Sequence, residues 1–133
     1  MPDKKLTILL VEDDRVFTTY ALQALRGNNN ITALNAKEAI EKFRYNSPDI
    51  TFLDINLPDG SGLDLLHEMK MFKQDAFIVM MTGSDSGKDI YKAKEHGASA
   101  YILKPFNIKK VQDCIDKFIN YKNAISESSK EDK

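Results

Sequence analysis

Four short apolar runs recur along this chain, and each is stopped by a polar or charged group. Leu6-Thr7-Ile8-Leu9-Leu10-Val11 runs into Glu12-Asp13-Asp14, and Ile50-Thr51-Phe52-Leu53 into Asp54. Phe77-Ile78-Val79-Met80-Met81 runs into Thr82, and Ala100-Tyr101-Ile102-Leu103 into Lys104-Pro105. Runs this short read as strands, and the stretches between them repeat apolar residues at helical spacing. Strands and helices alternating through short connections give an α/β fold, a parallel sheet with helices on both faces. The later runs are almost wholly apolar, as strands covered on both sides must be. In open sheets of this kind ligands bind outside the carboxyl ends of the strands. The polar stops therefore predict one convergent site of acids, a hydroxyl and an ammonium, suited to a divalent cation and a phosphoryl group.

A single domain accounts for the whole pattern. The 133 residues are enough to bury a real core, and 42% hydrophobic with 29% charged residues is an ordinary globular composition. A net charge of −1 gives no basic footprint for nucleic acid or an anionic membrane. No apolar stretch approaches the roughly 20 residues that span a bilayer, and the first strand is too short and wrongly flanked for a signal peptide. One cysteine, Cys114, excludes an intrachain disulfide and a cysteine zinc site. A cytoplasmic protein is the expectation.

The elements read as a strand at 6–11, a helix at 14–26, a weak strand at 31–34 and a helix at 36–46 capped by Asn35. A strand at 49–53 follows Ser47-Pro48. The turn residues Leu57-Pro58-Asp59-Gly60-Ser61-Gly62 then lead into a helix ending near 73. After the strand at 77–81 comes a flexible loop at 83–87, then a helix closed by Gly97, a natural residue beyond a helix C-terminus. The last helix starts near Asn107, with Ile108, Val111, Ile115, Phe118, Ile119 and Ile125 as its apolar residues. The expected domain is 1–125, with 126–133 a polar, disordered tail.

Glu12-Asp13-Asp14 alone reads as an acidic helix start, and Asp14 suits the N-cap. Asp54 changes the reading, because it follows a buried strand and enters a loop instead of capping a helix. In a right-handed doubly wound sheet the first and third strands are neighbours, which brings Asp13 and Asp54 close. Adjacent carboxylates repel unless one is protonated or a cation lies between them. Hard oxygen ligands favour Mg²⁺ over Zn²⁺. Thr82 offers a hydroxyl, Gly83 leaves room beside it, and Lys104 can turn its ammonium into the acids. Pro105 forces a tight turn there, with a cis bond plausible.

With these residues in place, the chain resembles the receiver domains of two-component response regulators over residues 6 to about 122. The motifs are Leu10-Val11-Glu12-Asp13, Leu53-Asp54-Ile55-Asn56-Leu57-Pro58-Asp59-Gly60, Met81-Thr82-Gly83 and Tyr101-Ile102-Leu103-Lys104-Pro105-Phe106. The resemblance implies the flavodoxin-like order 2-1-3-4-5 with five helices. It makes Asp54 the phosphoacceptor and Asp13 a direct Mg²⁺ ligand, with Glu12 acting through water and Asn56 through its carbonyl. It gives Thr82 and Lys104 the phosphoryl oxygens and makes Tyr101 the aromatic that follows Thr82. The donor would be a cognate histidine kinase or phosphotransfer protein. The recipient of the signal would be an output protein or an effector domain, docking on the face of the fourth helix, fifth strand and last helix. Such a protein is a switch that catalyses only its own phosphorylation and dephosphorylation. Ser99-Ala100 replaces the paired acids of winged-helix members, so neither their dimer mode nor a DNA-binding segment after the last helix is expected. The resemblance also places Asn56 and Ser84 beside the route of attacking water.

The remaining candidates read as structural. His67 and His96 belong on helices away from the site, Cys114 in the packing of the last helix, and Met69, Met71, Met80 and Met81 in the core. A haloacid-dehalogenase phosphatase would need Asp-x-Asp after the first strand and a cap insertion. A flavin-binding protein would need a hydroxyl- and glycine-rich phosphate loop where this chain carries carboxylates.

Overall fold

A computed structural model describes residues 5–83, 87–104 and 108–131, those from 127 on as backbone only. The elements in chain order are β1 (Thr7–Val11), α1 (Arg15–Ala24), β2 (Asn29–Ala33), α2 (Ala36–Asn46), β3 (Ile50–Asp54), β4 (Asn56–Leu57), β5 (Gly60–Ser61), α3 (Gly62–Phe72), β6 (Phe77–Thr82), α4 (Gly87–Glu95), β7 (Ala100–Leu103) and α5 (Ile108–Glu131). Five of the strands form one parallel sheet in the order β2-β1-β3-β6-β7. This is the expected 2-1-3-4-5 order, β6 and β7 being its fourth and fifth strands. The turn after Asp54 contributes something the sequence did not mark, a two-residue antiparallel pair of β4 and β5.

Alternation along each strand sends side chains to two cores. Ile8 and Leu10 of β1, Phe52 of β3 and Val79 of β6 pack with Ala21 of α1 and Phe118 of α5. Leu9, Leu53 and Met80 face the other way, toward Phe43 of α2, Leu66 of α3 and Ala93 of α4. Fully burying one such side chain is worth about 1.5–3 kcal/mol, so both sheet faces are strongly committed and the register cannot slip. A one-residue slip would exchange the two faces.

The helix ends follow local chemistry. Asp14 caps α1, its carboxylate accepting from the N–H of Val16 at 2.9 Å and of Phe17 at 3.2 Å. Asn35 caps α2 through the Glu38 N–H, and Ser61 caps α3 through the Leu63 N–H. Gly97 follows α4 at φ 90°, a conformation that L side chains rarely adopt.

Several apolar assignments change. Met71, read as core, is 76% exposed on the outer face of α3, and Val16, whose helical spacing with Phe17, Tyr20, Ala21 and Ala24 predicts the inner face of α1, is 81% exposed, so neither belongs to the core. Helical spacing marks a face only to within one residue, and both fall just outside the buried arc. On α5, Val111, Cys114, Ile115 and Phe118 are buried while Ile108, Ile119 and Ile125 stay half exposed. The backbone of α5 continues to Glu131, through most of the stretch read as a disordered tail. The loop at 84–86 and the Pro105-Phe106-Asn107 turn, with the anticipated cis bond and Ser84, lie outside the described residues.

Candidate functional site

The register of the sheet builds the site one strand end at a time. Val11 pairs with Leu53, which sets Glu12 abreast of Asp54. Asp54 pairs with Met81, so Thr82 stands one step beyond it. Thr82 pairs with Leu103, and the Lys104 N–H donates to the Thr82 carbonyl at 2.7 Å, carrying the ladder one residue further. The Ile55 N–H does the same for β3, donating to the Met81 carbonyl at 3.0 Å. Asp54 is therefore gripped by backbone bonds at its own strand end.

Glu12 and Asp54 are buried, at 2% and 5% exposure, while Asp13 is exposed. The Lys104 ammonium bridges the two buried acids, lying 2.5 Å from Glu12 Oε1 and 3.2 Å from Asp54 Oδ2. Burial alone would lower the lysine's pKa, but the bond to Glu12 and the charge of Asp54 outweigh it and leave the pKa raised. Burial pushes the Glu12 carboxyl up, the bonds from Lys104 and the Asp14 N–H oppose this, and the Asp54 charge adds to the rise; the net direction is upward. One ammonium does not neutralise this cluster. One oxygen each from Glu12, Asp13 and Asp54 lies within 4.8 Å of the others. An all-oxygen set with surplus negative charge, open on the Asp13 side, fits a hard divalent cation that retains water.

Asn56 donates its N–H to Asp54 Oδ1 at 3.2 Å, which fixes the rotation of that carboxylate. Thr82 is fully buried at the end of β6. Tyr101 lies on β7 with its hydroxyl buried and in no hydrogen bond of good geometry among the described residues. Its phenol pKa is raised by burial and by the charge of Asp89, with the Thr82 side chain acting in the other direction. Tyr101 is thus already turned inward beside Thr82. Gly83 is exposed, and a Cβ there would meet nothing described within 4 Å.

The expected site residues thus fall into three groups. Glu12, Asp13, Asp54 and Lys104 converge directly. Asn56 joins through its backbone N–H, and Thr82 and Tyr101 stand on the next two strands. His67 and His96 instead pack edge to face with each other, ring centroids 5.2 Å apart, and serve helix contacts.

Two contributors escaped sequence reasoning. Phe17 places its ring 4.3 Å from the Lys104 ammonium. Its only sequence signal is an aromatic in the first turn of the helix that follows the acids. Asp59, read as turn chemistry, reaches across to accept from the N–H groups of Ala36 at 2.7 Å and Lys37 at 3.1 Å. It ties the loop after Asp54 to the start of α2, and the bond from Ala36 lowers its pKa.

Residues 8–116 match the protein family described as the response regulator receiver domain. The sensory transduction protein LytR of Staphylococcus haemolyticus is 37% identical over 93% of this chain and 48% of its own length. The chemotaxis protein CheY of Bacillus subtilis is 28% identical over 84% of this chain and 97% of its own. The crystal structure of a CheY-like response regulator receiver domain protein from Methanospirillum hungatei JF-1 superposes with a TM-score of 0.85 at 27% identity, over 91% of this chain and 98% of that one. This chain spans about half the length of LytR and similar curated relatives. Acids, hydroxyl and ammonium at successive strand ends, on this sheet order and with these relatives, have one common explanation: the chain belongs to the response regulator receiver domains of two-component signalling.

Proposed function

We propose that this receiver accepts a phosphoryl group on Asp54, with Mg²⁺ held by Asp13, Asp54 and the Asn56 carbonyl and by Glu12 through water. The observation that carries this reading is a nearly buried carboxylate with an ammonium 3.2 Å away and two further acids beside it. A bound Mg²⁺ would supply charge neutralisation on the transferring group. An Asp54 oxygen attacks phosphorus, the bond from phosphorus to the donor breaks, and the donor leaves with that electron pair. The donor is a histidine kinase, a phosphotransfer protein or a small acyl phosphate. Lys104 already stands where charge on a phosphoryl oxygen would develop, so little reorganisation is required. Hydrolysis of the aspartyl phosphate by water returns the carboxylate. The protein is thus a signalling switch that catalyses only its own modification.

Test conditions are acetyl phosphate with Mg²⁺, followed by intact mass. One phosphoryl group is expected. Chelating the metal, or Asp13→Ala, is expected to abolish the gain. Undiminished labelling in excess chelator would overturn the metal assignment.

The same reading directs the output. The new phosphate adds charge and strong acceptor oxygens, which Thr82 can follow, and the inward setting of Tyr101 fills the space behind it. The face of α4, β7 and α5 would change most, and an output domain or partner protein that distinguishes the two states would read it. Ser99 Oγ accepts from the Ile78 N–H at 3.2 Å, and with Ser99-Ala100 in place of paired acids the acid-dependent winged-helix dimer is not expected. Beryllofluoride should shift amide resonances of residues 88–104 in the wild type and much less in Thr82→Ala. Equal shifts in the two proteins would remove Thr82 from the coupling. No helix among the described residues is long and apolar enough to cross a membrane, and a cytoplasmic location goes with a kinase as donor.

A further inference from the structure

We infer that Phe17 is a positioning residue for phosphoryl transfer, holding the Lys104 ammonium over Asp54 with the face of its ring. The inference rests on Asp54 being the phosphoacceptor. An ammonium has three N–H donors. Two directions from Lys104 Nζ are taken by Glu12 and Asp54, and the Phe17 ring, 4.3 Å away, lies within cation–π reach of the same nitrogen. Lysine is a compact, strongly hydrated charge on a flexible stem, so an apolar wall that also attracts the cation does two things. It limits the conformations of the stem, and it displaces water that would compete for the ammonium.

The ring is itself held in place. One side of Phe17 packs against the core between the sheet and α1 and α5. Its N–H is bound by the Asp14 carboxylate, the Asp14 N–H is bound by Glu12 Oε2, and Glu12 Oε1 accepts from Lys104. Glu12, Asp14, Phe17 and Lys104 thus form a closed circuit of contacts, and no member can move without breaking one. Aspartate at the N-cap of α1 acquires a second purpose here, because it sets the first turn that carries Phe17 to the lysine. An aliphatic residue at position 17 would fill similar space without the quadrupole that attracts the cation.

Fluorination of the ring separates these effects, since added fluorines weaken the cation–π attraction with little change of shape. The test compares wild type, Phe17→Leu, Phe17→Trp and proteins carrying mono-, di- and trifluorophenylalanine at position 17. Two quantities are read: the initial rate of phosphoryl incorporation from acetyl phosphate with Mg²⁺, and the NMR shift of the Lys104 Hε protons with no phosphodonor present. The expected shift is upfield in wild type relative to Phe17→Leu, from the ring current. The expected rate falls stepwise with fluorination, reaching a loss of about three- to tenfold in the trifluoro and Leu proteins, with Trp preserving activity. A rate indifferent to fluorination, in a protein that labels normally, overturns the positioning role alone. Absence of the upfield shift overturns the contact itself. A wild-type protein that takes no label overturns the phosphoacceptor reading and the positioning role with it, while the shift, measured without donor, still reports whether the ring holds the ammonium.

Discussion

Asp54→Asn is expected to reduce phosphoryl incorporation to background while leaving the fold intact. The substitution keeps the size of the side chain and removes the anionic oxygen, and an amide is not a competent nucleophile toward phosphorus. It also removes the charge that Lys104 faces at 3.2 Å. That loss need not weaken the fold, because the Asp54 charge is one of the influences raising the Glu12 carboxyl, so its removal relieves repulsion between two buried acids. The melting temperature of Asp54→Asn is therefore expected to equal or exceed that of wild type. Intact mass after acetyl phosphate treatment reads the first expectation and thermal denaturation the second. One full equivalent of label on a residue other than the neighbouring Glu12 or Asp13 would remove Asp54 from its role.

The second large effect is on stability. Gly62 opens α3 directly behind Asp54, and a Cβ there would lie 2.1 Å from the Asp54 carbonyl oxygen, 2.7 Å from Ile55 Cα and 2.9 Å from the Asp54 carbonyl carbon. All three obstacles are backbone, so no side chain can swing away. The Gly62 N–H also donates to the Ile55 carbonyl at 2.6 Å, which leaves little freedom to retreat. Gly62→Ala is expected to cost about 2–3 kcal/mol and to lower Tm by about 8–15 °C. Because the strained segment carries Asp54, labelling at a temperature where the variant is folded should also slow. Gly60→Ala is the control: a Cβ there meets nothing described within 4 Å, and a change within about 0.5 kcal/mol is expected. Equal melting temperatures for Gly62→Ala and wild type would show that the close approach is not a constraint.

Much of this protein is legible in its sequence, for reasons that are local. The apolar runs carry their own period, so the strands of the sheet and their order of appearance follow from the chain alone. Asp14, Asn35 and Gly97 sit where helix chemistry requires them, and each does that work in the fold. The polar stops at 12–14, 54, 82 and 104 are legible as a site because a parallel sheet brings all its carboxyl ends to one edge. Less legible are the edges of helix faces, where Met71 and Val16 turn out exposed, and the end of α5, whose polar residues lack a period and yet continue the helical backbone.

Sequence alone determined the sheet, its helices and the identities of the acids, hydroxyl and ammonium that meet at one end, because periodicity and strand position are properties of neighbours along the chain. The tertiary structure alone decided that Lys104 bridges Glu12 and Asp54, that Phe17 backs the lysine, that Asp59 crosses to α2, and that Gly62 has no room for a side chain. Each of those contacts joins segments that are not neighbours along the chain. Their distances are set by strand register and by how each helix packs on the sheet, and no residue carries that information by itself.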